Sequence, residues 1–125
     1  MLSFLLDEQI SAEVQERLSS KRADIPIFSV HTWKDGRFRG APDNILLHAA
    51  SAENLTLVTY DQKTIPPLLW EWGEREIAHG GIIFIDNRTI ASNNFGALVR
   101  SLMWLWDTQH HLEWGNRLLY LKAEQ

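Results

Sequence analysis

The sequence predicts an α/β protein: a three-layer α/β/α fold on a mainly parallel sheet of four or five strands. Three observations predict it. Apolar runs alternate with amphipathic helical patterns along the chain. The runs are nearly continuous rather than alternating apolar with polar residues, as expected of strands buried on both faces. Several of them stop at an acid, and it is at strand C-terminal ends that open α/β sheets place their ligands.

Taken in order, Phe4-Leu5-Leu6 followed by Asp7-Glu8-Gln9 reads as a buried strand that delivers carboxylates to its own C-terminal end. Ile10, Val14 and Leu18 recur every fourth residue among polar neighbours and predict a helix that covers the sheet. Pro26 to His31 reads as a short strand, and Trp33 to Pro42, with Gly36 and Gly40, as a basic loop. Pro42 suits a helix start, and Asp43 beside it favours the positive end of the helix dipole ahead of Ile45, Leu46 and Leu47. This helix is expected to end near Asn54.

Leu55 to Tyr60 predicts a further strand, closed by Asp61. Pro66-Pro67 interrupts whatever begins at Gln62, before Leu68 to Ile77 resumes a helical pattern that Gly80-Gly81 ends. Gly81 to Ile85 is another buried strand, with Asp86 at its end. Asn93 or Asn94 then caps a long helix carrying Leu98, Leu102 and Leu105. The tail after Asp107 is too apolar to be a free extension, and it reads as either a last strand or a helix. The chain is expected to be one domain over 1–125, with an aromatic-rich, helical C-terminal segment from about residue 93.

Composition narrows the function. A chain of 125 residues, 45% apolar and 22% charged, has the balance of an ordinary globular domain. With no cysteine there is no disulfide, thiolate nucleophile or cysteine-based zinc site. No apolar run approaches the roughly 20 residues that span a bilayer, and no basic region precedes Phe4, so a cytoplasmic protein without membrane partners is expected. The net charge of −4 argues against broad nonspecific nucleic-acid binding. Even so, six of the twelve basic residues, Arg17, Lys21, Arg22, Lys34, Arg37 and Arg39, fall within one stretch, which predicts one basic edge.

Asp7, Asp61 and Asp86 end neighbouring apolar runs, and Asp43 starts a helix, so one acidic site is expected. Clustered carboxylates repel and favour a hard divalent cation, Mg²⁺ or Mn²⁺, which activates water and steadies a leaving oxygen in phosphodiester cleavage. In this reading Asp7 is the central ligand. Asp43, Asp61 and Asp86 are further ligands, and Glu8 is an outer carboxylate or a base. Each acid also has a plain structural role open to it: Asp7 and Asp43 at helix starts, Asp86 in a turn.

Four segments in order carry a resemblance: Leu5-Leu6-Asp7-Glu8; Pro42-Asp43-Asn44-Ile45-Leu46 with Ala49; Val58-Thr59-Tyr60-Asp61; and His79-Gly80-Gly81-Ile82-Ile83. Over about residues 2 to 86 the chain resembles the small stand-alone PIN-like domains. The resemblance implies a PIN-like fold and an Mg²⁺- or Mn²⁺-dependent ribonuclease. It also implies a role as the toxin of a pair with an antitoxin protein. One departure stands out. The family pattern continues after Thr-x-Asp with a second Asp followed by Phe, whereas this chain has Gln62-Lys63-Thr64-Ile65.

Lys34, Arg37, Arg39 and Lys63 are the candidate RNA contacts, with Trp33 and Phe38 as neighbouring aromatics. Trp104 and Trp106 cannot share one helix face, so one of them is a candidate for an oligomer or antitoxin surface. The adjacent His110 and His111 point too far apart to share an ion and read as surface. Two rival readings remain. One is a PIN-like module that has lost catalysis and binds protein or nucleic acid, motivated by the missing second acid. The other is a phosphoacceptor domain, which the lack of any lysine between Lys63 and Lys122 disfavours.

Overall fold

The computed structural model describes residues 1–123. Five strands, β1 (Phe4–Leu6), β2 (Ile27–Ser29), β3 (Thr56–Thr59), β4 (Ile82–Ile85) and β5 (Leu118–Leu121), form one sheet in the order β2-β1-β3-β4-β5. Every pair is parallel, and Leu6 lies level with Ser29 on one side and Val58 on the other. Four helices, α1 (Ala12–Lys21), α2 (Asp43–Ala52), α3 (Ile65–Glu74) and α4 (Phe95–Gln109), cover both faces.

Strand residues alternate between two cores. Phe4, Leu6, Val58, Ile83 and Ile85 pack with Val14 and Leu18 of α1 and Leu98, Leu102 and Leu105 of α4. Leu5, Leu57, Ile82 and Phe84 pack with Leu46, Leu47 and Ala50 of α2 and Ile65 and Trp72 of α3. Apolar residues on both faces explain why β1, β3 and β4 read as continuous runs. This is the three-layer arrangement the sequence predicts.

Helix starts follow side-chain chemistry. The Ser11 hydroxyl accepts the Glu13 N–H, and the Asn94 side chain, rather than Asn93, accepts the Ala97 N–H. The prolines interrupt nothing: Pro66 and Pro67 lie in the first turn of α3, where the absent N–H groups have no helical partner to lose. Gly81 enters β4 with φ +101°, and a Cβ there would lie 2.5 Å from the Trp114 carbonyl oxygen.

The C-terminal segment is helical only to Gln109. Left-handed Asn116 turns the chain, and Leu118–Leu121 joins the sheet as β5, so of the two expectations for the tail the strand is the observed one. Trp106 is buried and its indole N–H donates to the Leu2 carbonyl, while Trp104 on the opposite side is 47% exposed. His110 is not a plain surface residue: it is half-buried and stacks on Trp106 at 4.0 Å between ring centres. No helix among the described residues is long and apolar enough to cross a membrane.

Candidate functional site

Three of the four predicted acids meet at the C-terminal edge of the sheet. Asp7 follows β1 and its N–H donates to the Val58 carbonyl at 2.9 Å, which extends the β1–β3 ladder and fixes the carboxylate against β3. The Asp7 side chain is 7% exposed. One oxygen accepts the Glu8 N–H at 2.7 Å and the other accepts the Thr59 hydroxyl at 2.7 Å. The same Thr59 hydroxyl oxygen accepts the Asp61 N–H at 3.0 Å. Thr59 thus joins the two acids through one atom.

A second threonine joins the other pair. Thr64 lies just before α3, and its hydroxyl reaches Asp43 Oδ2 at 2.7 Å and also Asp61 Oδ2. Asp61 Oδ1 accepts the N–H groups of Lys63 and Thr64, both at 2.9 Å. A hydroxyl has one proton, so it cannot serve two carboxylates at once. One of the facing carboxylate oxygens therefore lacks a donor from Thr64.

Electrostatics differ across the set. Burial pushes the Asp7 carboxyl above its ordinary value; the bonds from Thr59 and Glu8 oppose the shift, and the charges of Asp43 and Asp61 add to it. Burial also pushes Asp61 upward, but the Thr64 hydroxyl and the N–H groups of Thr64, Lys63 and Ile65 outweigh it and leave Asp61 below its ordinary value. Of the two, the buried acid is the one whose pKa is raised.

Asp86 shares no hydrogen bond with this group among the described residues. It ends β4, but Arg88 clamps its carboxylate, with Nη2 at 2.7 Å and the backbone N–H at 2.8 Å, and holds it below the ordinary carboxylate range. The Asp86 carbonyl accepts the Thr89 and Ile90 N–H groups, so the residue organises a turn. Glu8 is tied to the neighbouring loop. Its carboxylate accepts the Gly40 N–H at 2.6 Å and its carbonyl lies 2.8 Å from His31 Nε2, which ties the basic loop to the end of β1.

The basic residues divide. Lys34 is spent on Glu53 at 2.8 Å. Among the described residues Arg39 reaches only the Gly36 carbonyl, at 3.4 Å, and Arg37 and Lys63 are exposed. Trp33 is buried and stacks on Phe38 at 5.1 Å, so it is part of the core beneath the loop.

No protein-family model, curated protein or solved structure matches this chain.

Among the described residues no three Asp, Glu or His side chains already form a group that could cage a metal ion. Mg²⁺, however, is commonly held by one or two carboxylates, with water and phosphate oxygens filling the remaining positions. Hard oxygen donors on Asp7, Asp43 and Asp61, with a single Thr64 proton between two anions, fit such an ion. Thr64 and His31 had no assigned role at the sequence level. The Thr64 signal was its position in place of a second acid, and His31 had none, because its partner is a backbone carbonyl.

Proposed function

We propose that this chain is a PIN-like ribonuclease that hydrolyses RNA phosphodiester bonds, with Asp7, Asp43 and Asp61 holding Mg²⁺ or Mn²⁺ beside the scissile phosphate. The observation that carries the reading is the convergence of three carboxylates from β1, α2 and β3, laced by Thr59 and Thr64. A divalent ion at such a site lowers the pKa of bound water and offsets charge on the leaving oxygen. The protein's own part is positional. Thr59 orients Asp7, the backbone after Asp61 fixes that carboxylate, and exposed Arg37, Arg39 and Lys63 supply positive charge for phosphates. Purified protein is expected to cut single-stranded RNA in Mg²⁺ or Mn²⁺ and to stop in EDTA or as Asp7→Asn. Cleavage unchanged in Asp7→Asn would sink the proposal.

A toxin role belongs to the same reading, with an antitoxin or a second copy seated on the C-terminal aromatic surface, where Trp104, Leu118 and Tyr120 are exposed. A small neighbouring gene for a DNA-binding protein would support it. The second reading is a PIN-like binding module without catalysis, favoured by the Thr64 hydroxyl already lying between Asp43 and Asp61. Calorimetry with Mn²⁺ separates the two. Uptake abolished by Asp61→Asn supports the enzyme, and no uptake at millimolar Mn²⁺ supports the module.

A further inference from the structure

A cavity of about 310 Å³ opens between α2 and α3, and Asp43 and Thr64 form part of its wall. That volume is at the lower end of the roughly 300–1,000 Å³ typical of small-molecule pockets. Both helices start at the acidic edge of the sheet and run away from it. The cavity therefore leads from the carboxylates along the helix pair. None of its remaining lining is used by the acidic site.

Its chemistry is that of a base pocket. His48, one turn after Asn44 on α2, is exposed and rests against the buried Trp72 ring, tilted 42° to it, with centroids 4.3 Å apart. The indole braces the imidazole and leaves the His48 ring available as a stacking surface. Farther along α3, Glu71 and Arg75 form an exposed ion pair at 3.2 Å, and both line the cavity. A carboxylate acceptor beside a guanidinium donor suits a nucleobase edge that sets donors next to an acceptor. Guanine offers N1–H and N2–H donors to the first and its O6 acceptor to the second. Adenine, cytosine and uracil also set a donor beside an acceptor, but only guanine has two neighbouring N–H donors on separate nitrogens, so it alone engages both carboxylate oxygens while its O6 meets the guanidinium. The Asn44 amide, both donor and acceptor, suits ribose hydroxyls.

We propose that the cavity between α2 and α3 is a guanine subsite, seating the base of an RNA strand whose phosphate lies at Asp7, Asp43 and Asp61. The choice of RNA as ligand rests on the nuclease reading. The subsite itself is measured without cleavage.

Titration of the full chain with guanosine, adenosine, cytidine and uridine, followed by calorimetry and by amide NMR shifts, tests it. Guanosine is expected to bind with shifts at His48 and Trp72, and the other three nucleosides about tenfold or more weaker. His48→Ala and Glu71→Gln, both at exposed positions, are each expected to weaken guanosine about tenfold, the loss that follows removal of a stacking or edge partner. Asp7→Asn is expected to keep guanosine affinity while losing RNA cleavage. Equal affinity for the four nucleosides, no guanosine binding at millimolar concentration, or undiminished binding in both variants overturns the subsite. A wild type that cuts RNA but binds no guanosine loses the subsite alone. One that binds guanosine through His48 but cuts nothing loses the nuclease reading and keeps the subsite.

Discussion

The Thr59 hydroxyl donates to Asp7 at 2.7 Å and accepts the Asp61 N–H at 3.0 Å, so one fully buried side chain sets the position of two acids on different strands. Thr59→Val keeps the shape and removes both bonds. Leaving the Asp7 carboxylate and the Asp61 N–H without this partner is expected to cost about 1–3 kcal/mol, read in urea denaturation. It is also expected to raise the Asp7 pKa further, read by carboxyl NMR. An unchanged Asp7 titration would show that Thr59 does not hold the carboxylate in solution.

Asp7 gives stability a defined pH dependence. Its folded pKa lies above the ordinary 3.8, so the folded chain keeps a proton that the unfolded chain has already released. That contribution is fully present below 3.8 and is lost as pH rises through the folded value. Asp61 has the opposite sign: its contribution is present above 3.8 and is lost as pH falls through its lowered value. Asp7→Asn is therefore expected to be more stable than wild type at neutral pH without divalent cations. The gap should close on acidification, in denaturation curves at stepped pH.

Divalent binding should reverse that order. With Mn²⁺ at about a hundredfold excess over Kd, linkage predicts about 2.7 kcal/mol of added stability, or a Tm rise of about 10 °C. The rise is expected in wild type and absent in Asp61→Asn, by calorimetric scanning with and without EDTA.

Thr64 separates the two functional readings. Thr64→Asp returns an acid near the position where the family pattern has one, next to Asp43 and Asp61. It is expected to tighten Mn²⁺ binding about tenfold while lowering stability without metal by about 1 kcal/mol through like-charge repulsion. Metal affinity left unchanged would place the ion away from Thr64.

Gly81 tests the fold apart from the site. At φ +101°, with a Cβ position 2.5 Å from the Trp114 carbonyl oxygen, Gly81→Ala is expected to cost about 2–3 kcal/mol or more in denaturant unfolding. An alanine variant of wild-type stability would mean that the entry to β4 is easily rearranged.

Much of this was written locally. Strands buried on both faces have to be apolar at every position, so β1, β3 and β4 and the acids that close two of them were visible as runs with abrupt ends. The role of Asp86 was not legible, because a strand-end acid looks the same whether it faces a site or an arginine two residues on; here it pairs with Arg88. Pro66-Pro67 looked like a break because a helix's first turn and its interior obey opposite rules for proline. The Glu8–Gly40 bond and the cavity beside Trp72 join segments about thirty or more and about twenty or more residues apart, and no window along the chain contains them.

The strand order leaves β2 and β5 at the two margins of the sheet, each with a row of backbone groups open to another chain and an outward aromatic ring, Phe28 or Tyr120. β2 is only three residues long, which limits strand addition there. β5 is longer, and immediately after it the exposed Lys122 stands as a gatekeeper whose charge discourages stacking of further chains. The β5 margin is therefore where strand addition is expected first, and neutralising that one lysine is expected to ease it.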